Sequence, residues 1–220
     1  MPCKLCARFW ARIWEKSDAW DRAASNRSEL WAKDTAENRA LLEEAEAIHD
    51  SDPAAAFALY LEAADAGSAF ALEAVAWHYQ TGTAVAADFE KAQDYFRRAI
   101  GAGSWMATID SARFLADHGL HDESDAILTG GVEADFVPSC FWLAYLRYRR
   151  CRSRAACREI RPLLEYAAGK GHPGARVHLA RLMVLGKFGL SRIPAGIASI
   201  ARLAWRDTRG TSIMGTAEQN

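Results

Sequence analysis

Apolar positions in residues 69–104 fall into two blocks of helical spacing, separated by a polar stretch. Val75, Ala76 and Tyr79 share one face in the first block, and Ala92, Tyr95, Phe96 and Ala99 share one in the second. The spacing predicts a helix–loop–helix unit. Its small residues, Ala76, Ala92 and Ala99, sit where two helices approach closely. Its large ones, Val75, Tyr79, Tyr95 and Phe96, fill the space between units. Gly82 and Gly103 stand where each helix should stop in a left-handed cap. Such a unit cannot bury its apolar face alone and must stack on neighbours.

Weaker copies of the pattern flank it. A helix starting near Asp34 or Thr35 carries Leu41, Leu42, Ala45 and Ile48, and Asp52-Pro53 opens the next, which ends at Gly67. A degenerate copy over 105–137 includes Ile109, Ala112, Phe114 and Leu115. A short loop at Gly119 follows, then a helix over Glu123–Leu128 expected to end at Gly130-Gly131. A further copy spans 138–172, in which Pro162 should kink the second helix or mark its start. The last copy, 173–207, places Ala175, Leu179, Ala180 and Met183 on one helix. Pro194 lies near the start of the final helix, which carries Ile197, Ile200, Ala201, Leu203 and Ala204. Residues 1–16 predict an amphipathic helix: Lys4, Arg8, Arg12 and Lys16 recur every four positions beside Leu5, Phe9 and Ile13, with Trp10 and Trp14 widening the stripe. Residues 17–34 are polar apart from Trp20 and Trp31. The expected organisation is a helical capping segment over 1–34, a repeat array over 35–207 with its clearest repeats at 69–104, 138–172 and 173–207, and a flexible tail over 208–220.

The set Val75, Ala76, Tyr79, Gly82, Val85, Asp88, Ala92, Tyr95, Phe96, Ala99 and Gly103 resembles the Sel1-like repeat, a relative of the tetratricopeptide repeat with a longer loop between its helices. Ala76 and Ala84 depart from it, standing where that family usually has Gly. The ending Ala167-Ala168-Gly169-Lys170-Gly171-His172 resembles the family's Ala-Ala-x-x-Gly-His. The resemblance covers residues 36–207, most strongly 69–104 and 163–190. It implies an all-α solenoid of antiparallel helix pairs wound into a right-handed superhelix, because units stack stepwise with a small rotation each.

Half of the 220 residues are hydrophobic and a quarter are charged, an ordinary balance for a soluble protein. No apolar run approaches the roughly 20 residues that span a bilayer. The first residues carry charges where a signal peptide needs an apolar core. Five cysteines without regular spacing argue against a disulfide framework. These features lead to the expectation of a cytoplasmic protein. The net charge of −1 hides an asymmetry: residues 1–136 hold 12 Lys/Arg against 24 Asp/Glu, and residues 137–220 hold 15 against 4. Segregation of this kind concerns partners rather than fold.

No catalytic constellation emerges. Cys3-x-x-Cys6 has metal or redox spacing but lacks two further ligands at comparable spacing and lacks the α/β context of a redox pair. His118 and His121, beside Asp117 and Asp122, could bind a metal weakly; a solvated loop is the simpler reading. No phosphate loop, dinucleotide fingerprint or nucleophile elbow is present. The expectation is a chain that is not an enzyme and needs no cofactor or metal.

Two features point to binding. In the repeat family the first helix of each pair lines a concave surface, and the resemblance assigns Phe70, Glu73, Trp77 and Gln80 to it in one copy. It assigns Pro138, Phe141, Tyr145 and Tyr148 in the 138–172 copy and Val177, Arg181 and Val184 in the last. An aromatic groove suits a peptide or helix; the alternative is that these rings pack internally in a shifted register. The second feature is Arg147, Arg149, Arg150, Arg152, Arg154, Arg158 and Arg161, with Glu159 the one acid among them. This cluster calls for an anionic surface: an acidic protein, the acidic half of another copy in head-to-tail self-association, or nucleic acid. The overall charge disfavours nucleic acid. The cationic Trp-bearing segment 1–16 either caps the first repeat or touches a membrane surface. The family supplies adaptors, regulators and bacterial immunity proteins. The resulting expectation is a non-catalytic protein–protein interaction module, with nucleic-acid or anion binding through the basic C-terminal half as the alternative.

Overall fold

The computed structural model describes the backbone of residues 4–208 and the side chains of residues 10–205. In chain order its helices are α1 (Lys4–Ala24), α2 (Arg27–Lys33), α3 (Ala36–Ile48), α4 (Pro53–Asp65), α5 (Ala69–Thr81), α6 (Phe89–Gly101), α7 (Trp105–Asp117), α8 (His121–Glu133), α9 (Val137–Arg150), α10 (Arg154–Gly169), α11 (Pro173–Val184) and α12 (Ile193–Thr208), with a 3-10 turn at Leu190–Arg192. Among them α3/α4, α5/α6, α9/α10 and α11/α12 pack as helix pairs. No strand occurs among the described residues. The chain divides into two compact units. One is Ser25–Ile127; the other combines the described residues up to Ala24 with those from Leu128 onward.

A recurring link between pairs explains the repeat. Gly67, Gly103 and Gly171 end α4, α6 and α10 with φ of 90°, 91° and 105°, a conformation that a Cβ disfavours. The next residue in each case caps the following helix: Ser68 accepts from Ala71 N, Ser104 from Ala107 N, and His172 Nδ1 from Ala175 N. Between α5 and α6, Ala76, Ala92 and Ala99 are fully buried, so the helices approach closely there. Phe57 meets Tyr79 edge to face at 5.5 Å, and Tyr79 stacks on Tyr95 at 5.8 Å. Thr35 and Asp52 cap α3 and α4.

Three expectations are corrected. Gly130-Gly131 do not stop α8, which runs on to Glu133. Glycine permits a left-handed stop without imposing one. Here Asp135 takes that conformation (φ 59°), and Phe136 N–H closes the turn on Gly131 O at 2.9 Å. Pro162 lies inside α10 and does not start it; Ser153 caps the true start. Lastly, residues 17–24, polar in the sequence reading, are helical and continue α1, which packs on α9 and α11. Ser17 (0% exposed) and Asp21 (1%) lie on its buried face. They break the apolar stripe without breaking the helix, because each is hydrogen-bonded: Ser17 Oγ donates to Ile13 O. The Cys3–Cys6 pair and the expected tail from residue 209 lie outside the described residues and side chains.

Candidate functional site

Within the unit Ser25–Ile127, α2, α3, α4, α5 and α7 surround a groove of about 480 Å³. Arg27 and Trp31 come from α2, Glu43 and Glu46 from α3, Tyr60 from α4, Phe70, Glu73 and Trp77 from α5, and Asp110 from α7. Helical spacing places Phe70, Glu73 and Trp77 on one face of α5. These three residues line one wall of the groove. Gln80, on the same helix, is not among the lining residues. Trp31 and Phe70 meet edge to face at 5.6 Å, and the Arg27 guanidinium lies 4.5 Å above the Phe70 ring. Arg27 Nη1 donates to Glu73 Oε2 at 2.8 Å, while Ser104 Oγ donates to Glu73 Oε1. Burial pushes the Glu73 carboxyl above its ordinary pKa, and the Ser104 and Arg27 contacts pull it back. Tyr60 O–H donates to Glu46 Oε2 at 3.4 Å; burial and the Glu46 charge raise its pKa to about 12. Trp77 is 42% exposed and packs edge-on against His78. His78 is fully buried, neither ring nitrogen has a hydrogen-bond partner, and burial lowers its pKa to about 4.

In the other unit α1 lies against α9 and α11, and Trp10, Trp14, Phe141, Tyr145, His178 and Arg181 line a cavity of about 380 Å³ between them. Trp14 lies 6.1 Å from Phe141, 6.0 Å from Trp142 and 5.0 Å from Tyr145. Ile13 packs with Val177, and the Arg181 guanidinium lies 5.4 Å above Trp10. The packing is tight at Gly174, where an added Cβ would stand 2.7 Å from Ser17 Oγ and 2.8 Å from Phe141 Cζ. Phe141 (1% exposed) and Tyr148 are buried, and Phe141 also lines that cavity. Phe141 is stacked on His172, and Tyr148 is covered edge-on by His178. Tyr145 stays half-buried under Trp14. Trp10 and Trp14, both half-buried, are thus engaged by the protein itself. Beneath α1, Trp142 Nε1 donates to Asp21 Oδ2, and His172 Nε2 donates to Asp21 Oδ1, both at 2.9 Å. Because His172 Nδ1 accepts from Ala175 N–H, the ring proton sits on Nε2.

Arg149, Arg150, Arg152 and Arg154 are exposed around the turn between α9 and α10. Arg152 leans over the Tyr148 ring at 5.7 Å, Arg158 donates to Arg154 O, and Arg161 pairs with Glu165 at 2.7 Å. Cys151 is exposed among them. Its thiol is held below the ordinary range, chiefly by hydrogen bonding with Ser153.

Nothing in the sequence assigns Arg27, Trp31, Glu43, Glu46 and Tyr60 to this groove. They belong to three other helices, and only tertiary packing brings them to α5. Among the described residues no group of three or more His, Cys, Asp or Glu is placed to hold a metal, and no helix is long and apolar enough to cross a membrane.

No protein-family model matches the chain, and no curated protein matches it. Solved structures do. A Sel1 repeat protein from Oxalobacter formigenes superposes with a TM-score of 0.60 at 18% identity, covering 76% of this chain and 73% of that one. The c5321 protein, a protective antigen present in uropathogenic Escherichia coli strains and displaying an SLR fold, gives 0.59 at 15% identity. That match covers 76% of this chain and 38% of the antigen. At these identities the likeness establishes the fold: the helix pairs form a Sel1-like repeat solenoid.

Proposed function

From the Sel1-like repeat fold, we propose that the chain is a non-catalytic protein-binding module whose groove on α5 receives a helix or peptide of a partner. One observation carries this reading. The first-helix surface of α9 and α11 already holds an amphipathic, Trp-anchored helix, α1, while the groove at α5, flanked by α2, leaves Trp77 42% exposed. Aromatic residues in a partly enclosed groove dominate binding energetics. Roles as adaptor, regulator or immunity-type binding protein in a bacterial cytoplasm fit it. Among the described residues Cys140, Cys151 and Cys157 are free thiols, which suits a reducing compartment.

Partners recovered by affinity purification from the native cells provide the test. Trp77→Ala should weaken binding of a groove partner by about 30-fold, the effect of losing a central aromatic anchor, with circular dichroism and Tm unchanged. Unaltered affinity would remove the groove from the interaction.

The exposed arginines supply a second surface suited to an acidic protein, including the acidic unit of another copy. Replacing Arg149, Arg150, Arg152 and Arg154 by Ser should slow association several-fold at low salt and flatten its salt dependence, as measured by stopped-flow mixing. Nucleic acid is the alternative anion for this face. Its test is DNA and RNA binding at low ionic strength, where the absence of binding eliminates it.

A further inference from the structure

We propose that the α5 groove selects a basic segment, receiving an arginine or lysine side chain against Trp77 and Tyr60 under the carboxylates of Glu43 and Glu46. This deepens the groove reading above and rests on it.

The groove already holds one cation in the manner proposed. Arg27 stacks on Phe70 at 4.5 Å and pairs with Glu73 at 2.8 Å, so an aromatic face and a carboxylate together seat a guanidinium. The same pairing of ring and acid recurs further along. Tyr60 and Trp77 line the groove beside Glu43 and Glu46, and His49 bridges the two rings at 6.3 and 5.8 Å. The acids there differ from those at the Arg27 end. Glu73 is matched by Arg27 and Ser104, and Asp110 is paired with Arg113 at 3.5 Å. Glu43 and Glu46 are exposed, and among the described residues Glu46 is bonded only to the neutral Tyr60 hydroxyl while Glu43 has no bonded partner. A neutral occupant would bury these carboxylates without compensation, which is unfavourable; a cation offsets their desolvation. The surrounding field acts in the same direction. Residues 25–127 contain 7 Lys/Arg and 19 Asp/Glu, a net charge of −12 that draws basic partners and repels acidic ones.

The test is selection of a displayed library of random 16-residue peptides on the full chain, counter-selected on Trp77→Ala. Recovered peptides should carry more Arg and Lys than Asp and Glu. Synthesised, the best of them should bind the Glu43→Gln/Glu46→Gln variant at least tenfold more weakly than the parent, and its affinity should fall as salt rises. Both glutamates are exposed, so this variant keeps its fold. Trp77-dependent peptides of neutral or acidic composition would overturn the charge preference and leave the groove reading standing. Recovery of no Trp77-dependent peptide would remove both. A Trp77-dependent dimer seen by sedimentation, in place of peptide binding, would make the occupant a second copy and overturn the proposal.

Discussion

Asp21→Ala should destabilise the unit containing α9–α12 by about 3–5 kcal/mol, the range for breaking one partner out of a buried charged contact. Asp21 is almost wholly buried and accepts from two donors, the Trp142 indole and the His172 imidazole. Alanine leaves both N–H groups buried without acceptors, each costing about 1–3 kcal/mol. His172 also caps α11 through its other nitrogen, so a ring freed to rotate weakens that cap as well. Asn at this position has one acceptor oxygen for two donors and turns an N–H toward one of them; it should recover only part of the loss. Urea denaturation, resolved for each unit, measures this. A change below about 1 kcal/mol for Asp21→Ala, the worth of a single ordinary hydrogen bond, would show that packing alone holds α1 in place.

Acid should weaken both units well before most carboxylates titrate. His78 and His178 are buried, and burial lowers each pKa from 6.5 to about 4; the His49 and Arg181 charges add to the effect. The folded chain therefore holds both rings neutral while the unfolded chain protonates them. The sign follows from linkage: stability is complete above about pH 6.5 and is lost as pH falls from there to about 4, where the folded state also takes up the protons. At about 1.4 kcal/mol per pKa unit, each ring accounts for roughly 3 kcal/mol across that window. Tm measured from pH 7 to pH 4.5 should fall steadily, and the slope should flatten in His78→Phe/His178→Phe. An unchanged slope in that double variant would assign the acid loss to carboxylates.

The helix pairs were legible because their apolar spacing repeats and their links are punctuated by Gly followed by a capping residue, as at Gly103-Ser104. The reading failed where punctuation and structure part company. Gly130-Gly131 looked like a stop, yet Asp135 supplies it. The second half of α1 was read as polar because its buried face includes Ser17 and Asp21, whose partners lie more than a hundred residues away in the case of Asp21. A lone amphipathic stripe also cannot specify which surface it covers. At the open groove, the repeat position alone pointed to Phe70, Glu73 and Trp77. The carboxylates and rings facing them arise from α2, α3 and α4, and no local spacing announces them.

The placement of α1 also orders events during synthesis. Asp21 leaves the ribosome 151 residues ahead of His172. At about 5–20 residues per second, α1 waits on the order of 8–30 s for its binding surface to exist. Residues 25–127 can complete their unit in that interval, whereas the unit containing α1 closes only after α11 has emerged. During this delay a cationic helix bearing Trp10, Trp14 and Trp20 is without its final seat. The nascent chain is then most open to chaperones, to premature pairing and to exchange of α1 between neighbouring chains.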